Sequence, residues 1–579
     1  MESRQEDTLP PPSLRVDAPM RDGVTLDTCI WLPAEPGPHP AILVRTPYSR
    51  AVTGVNEPPM LRYLAAGFAV VMQQIRGIGR SGGHFAFMAP HEQSDGYDTV
   101  EWVAAQPWCT GAVGLDGHSY AGMTQLTTAI ARPPHLRCMV PAVVSTDFFM
   151  EPPYVGGVFS RMHTLVWCDA LSFSSMLEPR EGGFAMHGFL SNPSLLAEWL
   201  SRPARAAGAR LTGDLKRHFD DVLDHPTRDD WWHQRRLDAD VLATIDVPTL
   251  VVSGNFDPSV GTMALWRGLE SGTAARDQRF LLIGPWDHNG AYNGGGRHHG
   301  PYDLGDAAAL DLVGLRIAFF DHYLKGEGQG AVPPHRVRHF ITGANRWVVG
   351  DTFPLAASGE HTLFLSSGGH ANSSRGDGQL LAAAPTHAPI ADSFIDDPDW
   401  PIVNPLPALR GPAHMLDLRE LARHHDVLVY QGPPLAAPLT LLGEPLVTLD
   451  ISADVPDADV AVHLVERTAT GQLNLLAFGQ LRLRYRRGFD QEVLLTPGEV
   501  ERVSFTLSHT GHQVAAGNAL AVLILGGNFP LLDPNPHGAG PIADAVVNQV
   551  AVQGVHHGAG HASQIRLPIL TTLEGPHEA

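Results

Sequence analysis

The stretch from residue 112 to residue 123, AVGLDGHSYAGM, constrains the fold of this chain more than any other. It starts with a short apolar run that indicates a buried strand. Gly117, Ala121 and Gly122 then remove side-chain bulk on both sides of Ser119. Small neighbours are needed where a chain turns so sharply from strand into helix that the serine takes a strained conformation. The pattern therefore predicts a nucleophile elbow, in a variant form, because a strict Gly-x-Ser-x-Gly would have glycine at 121.

Two later apolar runs end in polar clusters. Residues 247–253 lead into Gly254-Asn-Phe-Asp257, and residues 279–283 lead into Gly284-Pro-Trp-Asp-His288. Because the carboxyl ends of parallel strands meet at one edge of a sheet, Ser119, Asp257 and His288 are expected in one crevice. Their order along the chain is that of an α/β-hydrolase triad. Asp287 is the weaker alternative, since a side chain cannot readily orient the ring of the next residue.

The segments before the elbow supply further strands of the same sheet. Apolar and polar residues alternate from Val24 to Leu32, which indicates a half-buried strand. Residues 40–44 and 67–72 are apolar runs, as expected for central strands of a parallel sheet. Residues 95–106 carry apolar side chains at helical spacing. This order of strands and helices around the serine predicts an α/β domain.

The length indicates more than one domain. With 579 residues and 44% hydrophobic content, two or three domains are expected. We assign residues 1–146 and 241–350 to the two parts of an α/β-hydrolase core. Residues 147–240 have few strand-like runs and many aromatic side chains, which predicts an inserted helical cap. Most of these aromatic residues are expected in the core of the cap, and the others are candidates for lining an acyl pocket.

Residues 351–579 are predicted to form a β-sandwich. Short alternating runs, separated by Gly, Pro and Asp turns, lie at 446–452, 460–465, 480–485, 502–507 and 519–525. Spacing of this kind is typical of a sandwich. The predicted fold class is therefore α/β: an α/β-hydrolase domain with an inserted helical cap, followed by a C-terminal β-sandwich. We expect the sandwich to pack on the hydrolase domain and to wall its active site.

Charge and composition argue against several classes of partner. The formal net charge of −21 and the absence of a Lys/Arg cluster argue against nucleic acid and against anionic membranes. No apolar run approaches the roughly 18 residues that cross a bilayer, and residues 1–13 lack the apolar core of a secretory signal. Four scattered cysteines are expected to be free thiols in a reducing compartment. We therefore expect a cytoplasmic protein.

Two histidine pairs, at 298–299 and 556–557, are candidate metal ligands by residue type. Neither pair belongs to a set with the spacing of a metal site, and solvated loops are the expected setting for both. The chemistry indicated by the serine, aspartate and histidine needs no metal. The sequence therefore predicts neither a metal site nor a cofactor.

Several motifs together carry a family resemblance that covers nearly the whole chain. Besides the elbow and the two polar clusters, they are Thr46-Pro47-Tyr48, Arg76-Gly77 with Ser81-Gly82-Gly83, Pro107-Trp108-Cys109 and Asp229-x-Trp231. With these motifs the chain resembles the CocE/NonD serine hydrolases. This family of acyl esterases includes cocaine esterase-like and glutaryl cephalosporin acylase-like enzymes and is related to X-prolyl dipeptidyl aminopeptidases. The resemblance implies a jelly-roll topology for the sandwich.

The resemblance also implies roles for five residues. Ser119, Asp257 and His288 would form the catalytic triad, and the Tyr48 hydroxyl and the Tyr120 backbone N–H would form the oxyanion hole. The position of Tyr48 suits this role, because it lies just past an apolar strand at the same sheet edge, where a phenol can donate to a developing oxyanion. The implied activity is hydrolysis of a small-molecule ester or amide through an acyl-enzyme.

The residues after Asp257 bear on the substrate. Relatives that act on free α-amines need carboxylates near the pocket, since an unpaired buried ammonium group is costly. Residues 258–261 contain no acidic side chain. We therefore favour an ester or side-chain amide with an uncharged or acidic acyl group. Asp147 and Glu151 on the cap remain candidates for binding an amine.

Other functions stay open at this point. An acyltransferase would use the same triad but exclude water from the acyl-enzyme. A biosynthetic amide or peptide hydrolase, of the X-prolyl or α-amino ester type, would look identical in sequence. Assembly into a homo-oligomer is also open. A non-catalytic interaction protein is not expected, because such a protein would have no reason to contain an intact triad.

Overall fold

The computed structural model describes residues 9–48, 57–175, 199–257, 261–299, 302–326, 333, 335–404 and 416–573. Within these ranges, one large β-sheet lies before residue 351 and a second large set of paired strands lies after it. The four cysteines all fall in the described ranges and form no disulfide. No described helix is both long and apolar enough to cross a membrane.

The first sheet is largely parallel. The strands before residue 351 are β1 (Leu14–Pro19), β2 (Thr25–Trp31), β3 (His39–Thr46), β4 (Ala69–Gln74), β5 (Cys109–His118), β6 (Leu136–Ala142), β7 (Tyr154–Val155), β8 (Val158–Phe159), β9 (Thr249–Gly254), β10 (Arg279–Gly284), β11 (His298–His299), β12 (Tyr302–Asp303), β13 (Val337–Ile341) and β14 (Arg346–Gly350). Their order in the sheet is β1-β2-β4-β3-β5-β6-β9-β10-β13-β14, with β7/β8 and β11/β12 as separate hairpins. All pairs from β4 to β13 are parallel.

Helices cover both faces of this sheet. The α-helices of the described residues are α1 (Glu57–Ala65), α2 (His91–Ala104), α3 (Tyr120–Ile130), α4 (Arg161–Ser175), α5 (Gly213–Asp224), α6 (Asp230–His233), α7 (Ala239–Leu242), α8 (Gly261–Ser271), α9 (Gly290–Asn293) and α10 (Leu312–Phe320). Successive residues of a strand point to opposite faces, so Leu43 joins one hydrophobic core and Ile42 and Val44 join another. The apolar runs are thus buried on both sides, as predicted for central parallel strands.

One predicted helix begins earlier than expected. The helical pattern at 95–106 belongs to α2, which starts at His91. Pro90, just before it, already has helical backbone angles. A proline suits this position because its fixed φ is helical and the N–H it lacks would have no partner in the first turn.

The described part of the segment between β6 and β9 carries four α-helices, α4 to α7, and the short β7/β8 hairpin. Aromatic side chains fill its core: the Phe149 and Tyr154 rings stack with centroids 5.2 Å apart, and Trp232 packs edge-on against Phe149. Tyr154 also donates from its hydroxyl to the backbone carbonyl of Val222 on α5, at 2.8 Å. These residues support the expectation that most cap aromatics are core residues. The division of the chain after residues 146, 240 and 350 stays a prediction.

The strands after residue 351 pack as a β-sandwich. They are β15 (Ser358–Ser366), β16 (Gln379–Leu381), β17 (Ile390–Asp396), β18 (Leu428–Gln431), β19 (Leu439–Gly443), β20 (Leu446–Ala453), β21 (Asp459–Arg467), β22 (Leu473–Arg482), β23 (Glu501–Thr506), β24 (Thr510–Val514), β25 (Ala519–Leu525), β26 (Ala551–Gly558), β27 (His561–Ala562) and β28 (Gln564–Leu570). In β21, Val462 and Leu464 face the sandwich core, whereas Ala461 and Val465 pack with Met162 of α4. The predicted fold class is confirmed, and the jelly-roll connectivity stays a prediction.

Only the first half of the alternating run at 480–485 belongs to a strand. That strand, β22, begins at Leu473 and ends at Arg482, and residues 483–485 form a 3₁₀ turn. Arg482 and Arg484 are both buried, and each pairs with a buried aspartate, Asp459 and Asp457 respectively, at 2.8 Å. The predicted strand therefore ends at Arg482, and the alternation of apolar and charged residues continues into the turn because buried aspartates compensate both charges.

The histidine pairs do not lie in solvated loops. His299 is in β11, and its ring stacks on Phe256 with centroids 4.2 Å apart. His557 is buried in β26, and its Nε2 lies 2.8 Å from Asp392 Oδ2. The prediction failed because both pairs take part in strand pairing and packing that single-sequence spacing does not reveal. In the part of the chain that the structure describes, no group of three or more His, Cys, Asp or Glu side chains could hold a metal ion.

Candidate active site

Ser119 lies at the sharp turn between β5 and α3. Its φ of +58° and ψ of −128° are strained for a residue that carries a side chain. Its N–H donates to the carbonyl of Ala142 at 2.9 Å, and its own carbonyl accepts from the N–H of Gly122 at 2.9 Å. The predicted strand-to-helix elbow is therefore present, and backbone hydrogen bonds hold it.

Glycine is required at positions 117 and 122 for two different steric reasons. A Cβ at 122 would lie 2.4 Å from Val144 Cγ1, so only glycine lets α3 approach the chain after β6 this closely. A Cβ at 117 would lie 2.8 Å from the Cβ of Ala121. Alanine is accommodated at 121 because residue 117 is glycine, whereas the approach to Val144 requires the glycine at 122.

The side chain of Gln125 braces the elbow from within α3. Its Nε2 donates to the carbonyls of Gly117 and Val140, at 3.0 and 3.1 Å, and its Oε1 accepts from the Val140 N–H at 3.0 Å. The Thr124 hydroxyl donates to the Arg45 carbonyl at 2.9 Å. These bonds join α3 to β5, β6 and β3 and fix Ser119 relative to the chain that follows β3.

Asp257 and His288 follow two neighbouring strands that pair in parallel up to their last residues, Gly254 and Gly284. Beyond the strands, the Phe256 N–H donates to the Trp286 carbonyl at 2.9 Å, which joins the two loops. A Cβ at 254 would lie 2.1 Å from that same carbonyl oxygen, so glycine is needed for the loops to approach. The two glycine-containing motifs of the sequence therefore bring the aspartate and the histidine together.

The Asp257 carboxylate contacts the His288 ring directly. Asp257 Oδ2 lies 2.7 Å from His288 Nδ1, the aspartate side chain is fully buried, and the histidine side chain is 13% exposed. A carboxylate at Nδ1 selects the tautomer that carries its proton there and leaves Nε2 as the basic nitrogen. Asp287, the alternative considered from sequence, instead accepts the Gly290 N–H at 2.7 Å at the start of α9.

Tyr48 lies just past β3 and is connected to the cap. The indole Nε1–H of Trp167, on α4, donates to the Tyr48 hydroxyl oxygen at 2.9 Å. Trp167 also stacks on the buried ring of Tyr120, with centroids 5.7 Å apart and 21° between the planes. The bond from Trp167 occupies an acceptor site of the phenol and so restricts the direction in which its O–H can donate.

Four of the five predicted site residues line one cavity of about 120 Å³, which we name the catalytic pocket after their predicted role. Its described lining residues are Tyr48, Phe87, Ser119, Tyr120, Met123, Val143, Ser145, Pro152, Pro153, His163, Thr164, Trp167, His218 and His288. The fifth, Asp257, lies behind His288. None of these lining residues comes from the sandwich, so the expectation that the sandwich walls the active site is not met by the described residues. The cap, inserted between the two halves of the hydrolase domain, supplies that wall.

Two histidines of the pocket have no distinguishing signal in the sequence. His163 on α4 and His218 on α5 are two of 30 histidines, and only their positions on helices of the cap distinguish them. Burial lowers the pKa of each to about 3, and the nearby His288 and His218 also act on His163 in this direction. Both rings are therefore uncharged at neutral pH.

The two cap carboxylates considered for amine binding lie outside the catalytic pocket. Both oxygens of Asp147 accept from Arg228 Nη2, at 2.7 and 2.8 Å. Glu151 is buried and lines a neighbouring cavity. Burial raises its pKa well above the usual range, the carboxylates of Asp147 and Asp257 add to the rise, and the nearby Ser145 opposes it.

Two family models match this chain, one over each of its two main parts. Residues 22–290 match the family described as X-Pro dipeptidyl-peptidase (S15 family). Residues 329–566 match the X-Pro dipeptidyl-peptidase C-terminal non-catalytic domain. The first match contains Ser119, Asp257 and His288, and the second contains nearly all of the sandwich strands.

Individual relatives match along almost their entire length. Cocaine esterase of Rhodococcus sp. (strain MB1 Bresler) is 29% identical, over 96% of this chain and 98% of the relative. An aminopeptidase from the marine sediment archaeon Thaumarchaeota archaeon has a TM-score of 0.83 at 25% identity, over 98% of this chain and 99% of its own. An α-amino acid ester hydrolase has a TM-score of 0.81 at 24% identity, over 96% of each chain, which shows the shared fold.

Proposed function

Because this chain belongs to the CocE/NonD family of serine hydrolases, we propose that it hydrolyses small carboxylic esters through an acyl-enzyme on Ser119. The observation that carries the proposal is the strained serine at the end of β5, in one pocket with a histidine whose Nδ1 contacts a buried aspartate. A serine needs such a base to become a nucleophile near neutral pH.

The proposed reaction assigns a separate task to each of the three residues. His288 Nε2 takes the proton of Ser119 as Oγ attacks the ester carbonyl carbon, and then gives that proton to the departing alkoxide. A water molecule, deprotonated by the same nitrogen, releases the acid and restores the serine. Asp257 holds the Nδ1–H tautomer and stabilises the imidazolium while it exists.

The proposed oxyanion hole consists of the Tyr48 hydroxyl and the Tyr120 N–H. Tyr120 is the first residue of α3, and the first N–H groups of a helix have no acceptor within the helix. The hydrogen bond from the Trp167 indole to the Tyr48 oxygen holds the phenol in place, which supports its role as a donor to the substrate. Donors held in place before the reaction stabilise a developing charge without reorganising.

The electrostatics of the catalytic pocket favour an uncharged acyl group. No Asp, Glu, Lys or Arg occurs among its described lining residues, and the His163 and His218 rings are neutral. A charged acyl group would enter this pocket without a counter-ion, which is costly. Of the two acyl classes expected from the sequence, uncharged and acidic, the proposal therefore keeps the uncharged one.

Glu151 is the specific observation behind a second candidate, an α-amino ester hydrolase. Its carboxyl group is buried beside the pocket, and an ammonium ion bound there would favour the ionised form that burial now opposes. A pair of substrates separates the two candidates: phenylglycine methyl ester and its desamino analogue, phenylacetate methyl ester. A preference for the amino ester that Glu151→Gln removes would favour the second candidate.

Labelling of the serine tests the central proposal. A fluorophosphonate should leave one adduct on Ser119, located by mass spectrometry, and Ser119→Ala should abolish hydrolysis of p-nitrophenyl butyrate while keeping the thermal midpoint. Turnover by the folded Ser119→Ala variant would refute the assignment. Adding an alcohol acceptor tests acyl transfer, since a transferase would form the new ester in preference to the free acid.

A further inference from the structure

A second cavity lies next to the catalytic pocket, between the hydrolase domain and the sandwich. We call it the interdomain cavity; its volume is about 190 Å³. Met150 and Val155 form apolar parts of its wall on one side, and Phe478, Leu507 and Leu531 do so on the sandwich side. Apolar side chains from two domains thus face a single space close to the site of reaction.

Charged groups at this cavity are already compensated. Asp147 is paired with Arg228, and Arg267 pairs with Glu444. Asp257 belongs to the pair with His288. Burial favours the neutral, protonated form of Glu151. The space therefore suits an aliphatic chain better than an ion.

Two residues, Pro152 and His163, line both the catalytic pocket and the interdomain cavity. They form the partition between the two spaces. The His163 Nδ1 is buried and makes no hydrogen bond with any described residue, and its ring is uncharged. The buried Nδ1 side of the ring is therefore held by packing among the described residues and not by a hydrogen bond, which suits a steric partition.

The size of the catalytic pocket limits what it can hold on its own. A cavity of about 150 Å³ accommodates a benzene molecule, so a pocket of about 120 Å³ fits an acyl group of roughly six non-hydrogen atoms or fewer. A longer acyl chain needs additional space. On the other side of His163, the interdomain cavity would supply it.

We propose that His163 sets the acyl-chain length of this enzyme by closing the catalytic pocket against the interdomain cavity, which is a latent subsite for aliphatic acyl chains. The native protein then takes short-chain esters, and loss of the side-chain volume at position 163 opens a path for longer ones. The inference rests on the proposed ester hydrolysis at Ser119. It goes further in assigning the specificity of that reaction to one side chain of the cap.

The test measures kcat/KM for p-nitrophenyl esters from acetate to dodecanoate. His163→Ala should raise the ratio of decanoate to butyrate by at least about tenfold, since each buried methylene contributes about fourfold. His163→Leu keeps most of the volume of the partition but removes the imidazole, so its chain-length profile should stay close to the native one. A shift of the same size in both variants would overturn the steric argument.

A second substitution probes the interdomain cavity from the sandwich. Thr506 at the end of β23 lines this cavity and is exposed, so the fold should accept Thr506→Trp. In the His163→Ala background this change should restore the preference for short chains, whereas alone it should leave the native profile unchanged. If the double variant keeps the raised decanoate-to-butyrate ratio of His163→Ala, the chain does not enter the interdomain cavity and the inference is wrong.

Failure of the inference can be told apart from failure of the proposed function. Suppose that the native protein hydrolyses butyrate and is labelled at Ser119. If His163→Ala then has a native thermal midpoint and an unchanged chain-length preference, only the role of His163 as a partition is refuted. If native protein hydrolyses no ester in the series, the proposed function itself fails. Labelling with fluorophosphonate gives the fraction of competent sites in each variant and corrects kcat for misfolded protein.

Discussion

Replacement of Tyr48 by phenylalanine tests the proposed oxyanion hole most directly. The change removes one oxygen from a half-buried side chain and keeps the ring that packs at the edge of the catalytic pocket. The hydroxyl oxygen accepts the Trp167 indole N–H at 2.9 Å, so the substitution also leaves that donor without this partner. Catalysis and stability should therefore respond by different amounts.

If the hydroxyl donates to the oxyanion, it acts mainly in the transition state. Loss of one such donor costs about 10²- to 10³-fold in kcat, or roughly 2.7 to 4 kcal/mol, with little change in KM. The loss of stability should stay near 1 kcal/mol, the usual contribution of one hydrogen bond. Steady-state kinetics on p-nitrophenyl butyrate and a urea titration of the same samples measure both quantities.

Trp167→Phe provides the matched control. It preserves an aromatic ring against Tyr120 and removes the indole N–H, so the Tyr48 phenol loses its orienting partner but remains able to donate. The fall in kcat should be smaller than for Tyr48→Phe. A Tyr48→Phe variant with kcat within about threefold of native, a difference under roughly 0.7 kcal/mol, would exclude Tyr48 and leave the Tyr120 amide as the proposed donor.

Two further substitutions have defined outcomes. Asp257→Asn should lower kcat on the same substrate by about 10⁴-fold, because an amide would stabilise the wrong tautomer of His288; a loss under tenfold would remove Asp257 from its role. Burial lowers the pKa of His218 to about 3, against about 6.5 in the unfolded chain. The neutral ring therefore stabilises the fold fully above pH 6.5, and between pH 6.5 and pH 3 the free energy of unfolding falls by about 1.4 kcal/mol for each pH unit. His218→Phe should reduce the pH dependence of the free energy of unfolding, measured by urea titration between pH 6 and pH 4, by this amount. An unchanged pH dependence would mean that the ring takes up a proton in the folded protein.

The parts of the site that could be predicted are those encoded in short, continuous stretches. Glycines flank Ser119 because the turn leaves no room for a Cβ, and Gly254 precedes Asp257 because the Trp286 carbonyl lies too close for any other residue. Apolar runs before each polar cluster mark the strands that deliver them to one edge. Steric demands of this kind act over a few residues and are therefore visible in a single sequence.

The parts that could not be predicted depend on partners far away in the chain. Trp167 and Tyr48 are 119 residues apart, and nothing local to either residue indicates their hydrogen bond. The burial of Arg482 could not be predicted from its own segment, because its partner, Asp459, belongs to another strand. His163 has no distinguishing neighbour in sequence, and its place between two cavities follows only from how α4 packs. Long-range pairing of this kind requires the fold.

The sandwich nevertheless affects the catalytic pocket, and it does so through α4. This helix begins at Arg161, whose buried guanidinium binds Asp533 of the sandwich through Nε at 3.0 Å and Nη2 at 2.5 Å. His163 and Trp167 follow on the same helix and line the catalytic pocket. Breaking a buried ion pair from one side costs about 3–5 kcal/mol, so the sandwich holds the start of this helix firmly. The same helix carries His163, the partition, and Trp167, the hydrogen-bond partner of Tyr48. The sandwich contributes none of the described lining residues, but through this helix it still positions one wall of the catalytic pocket.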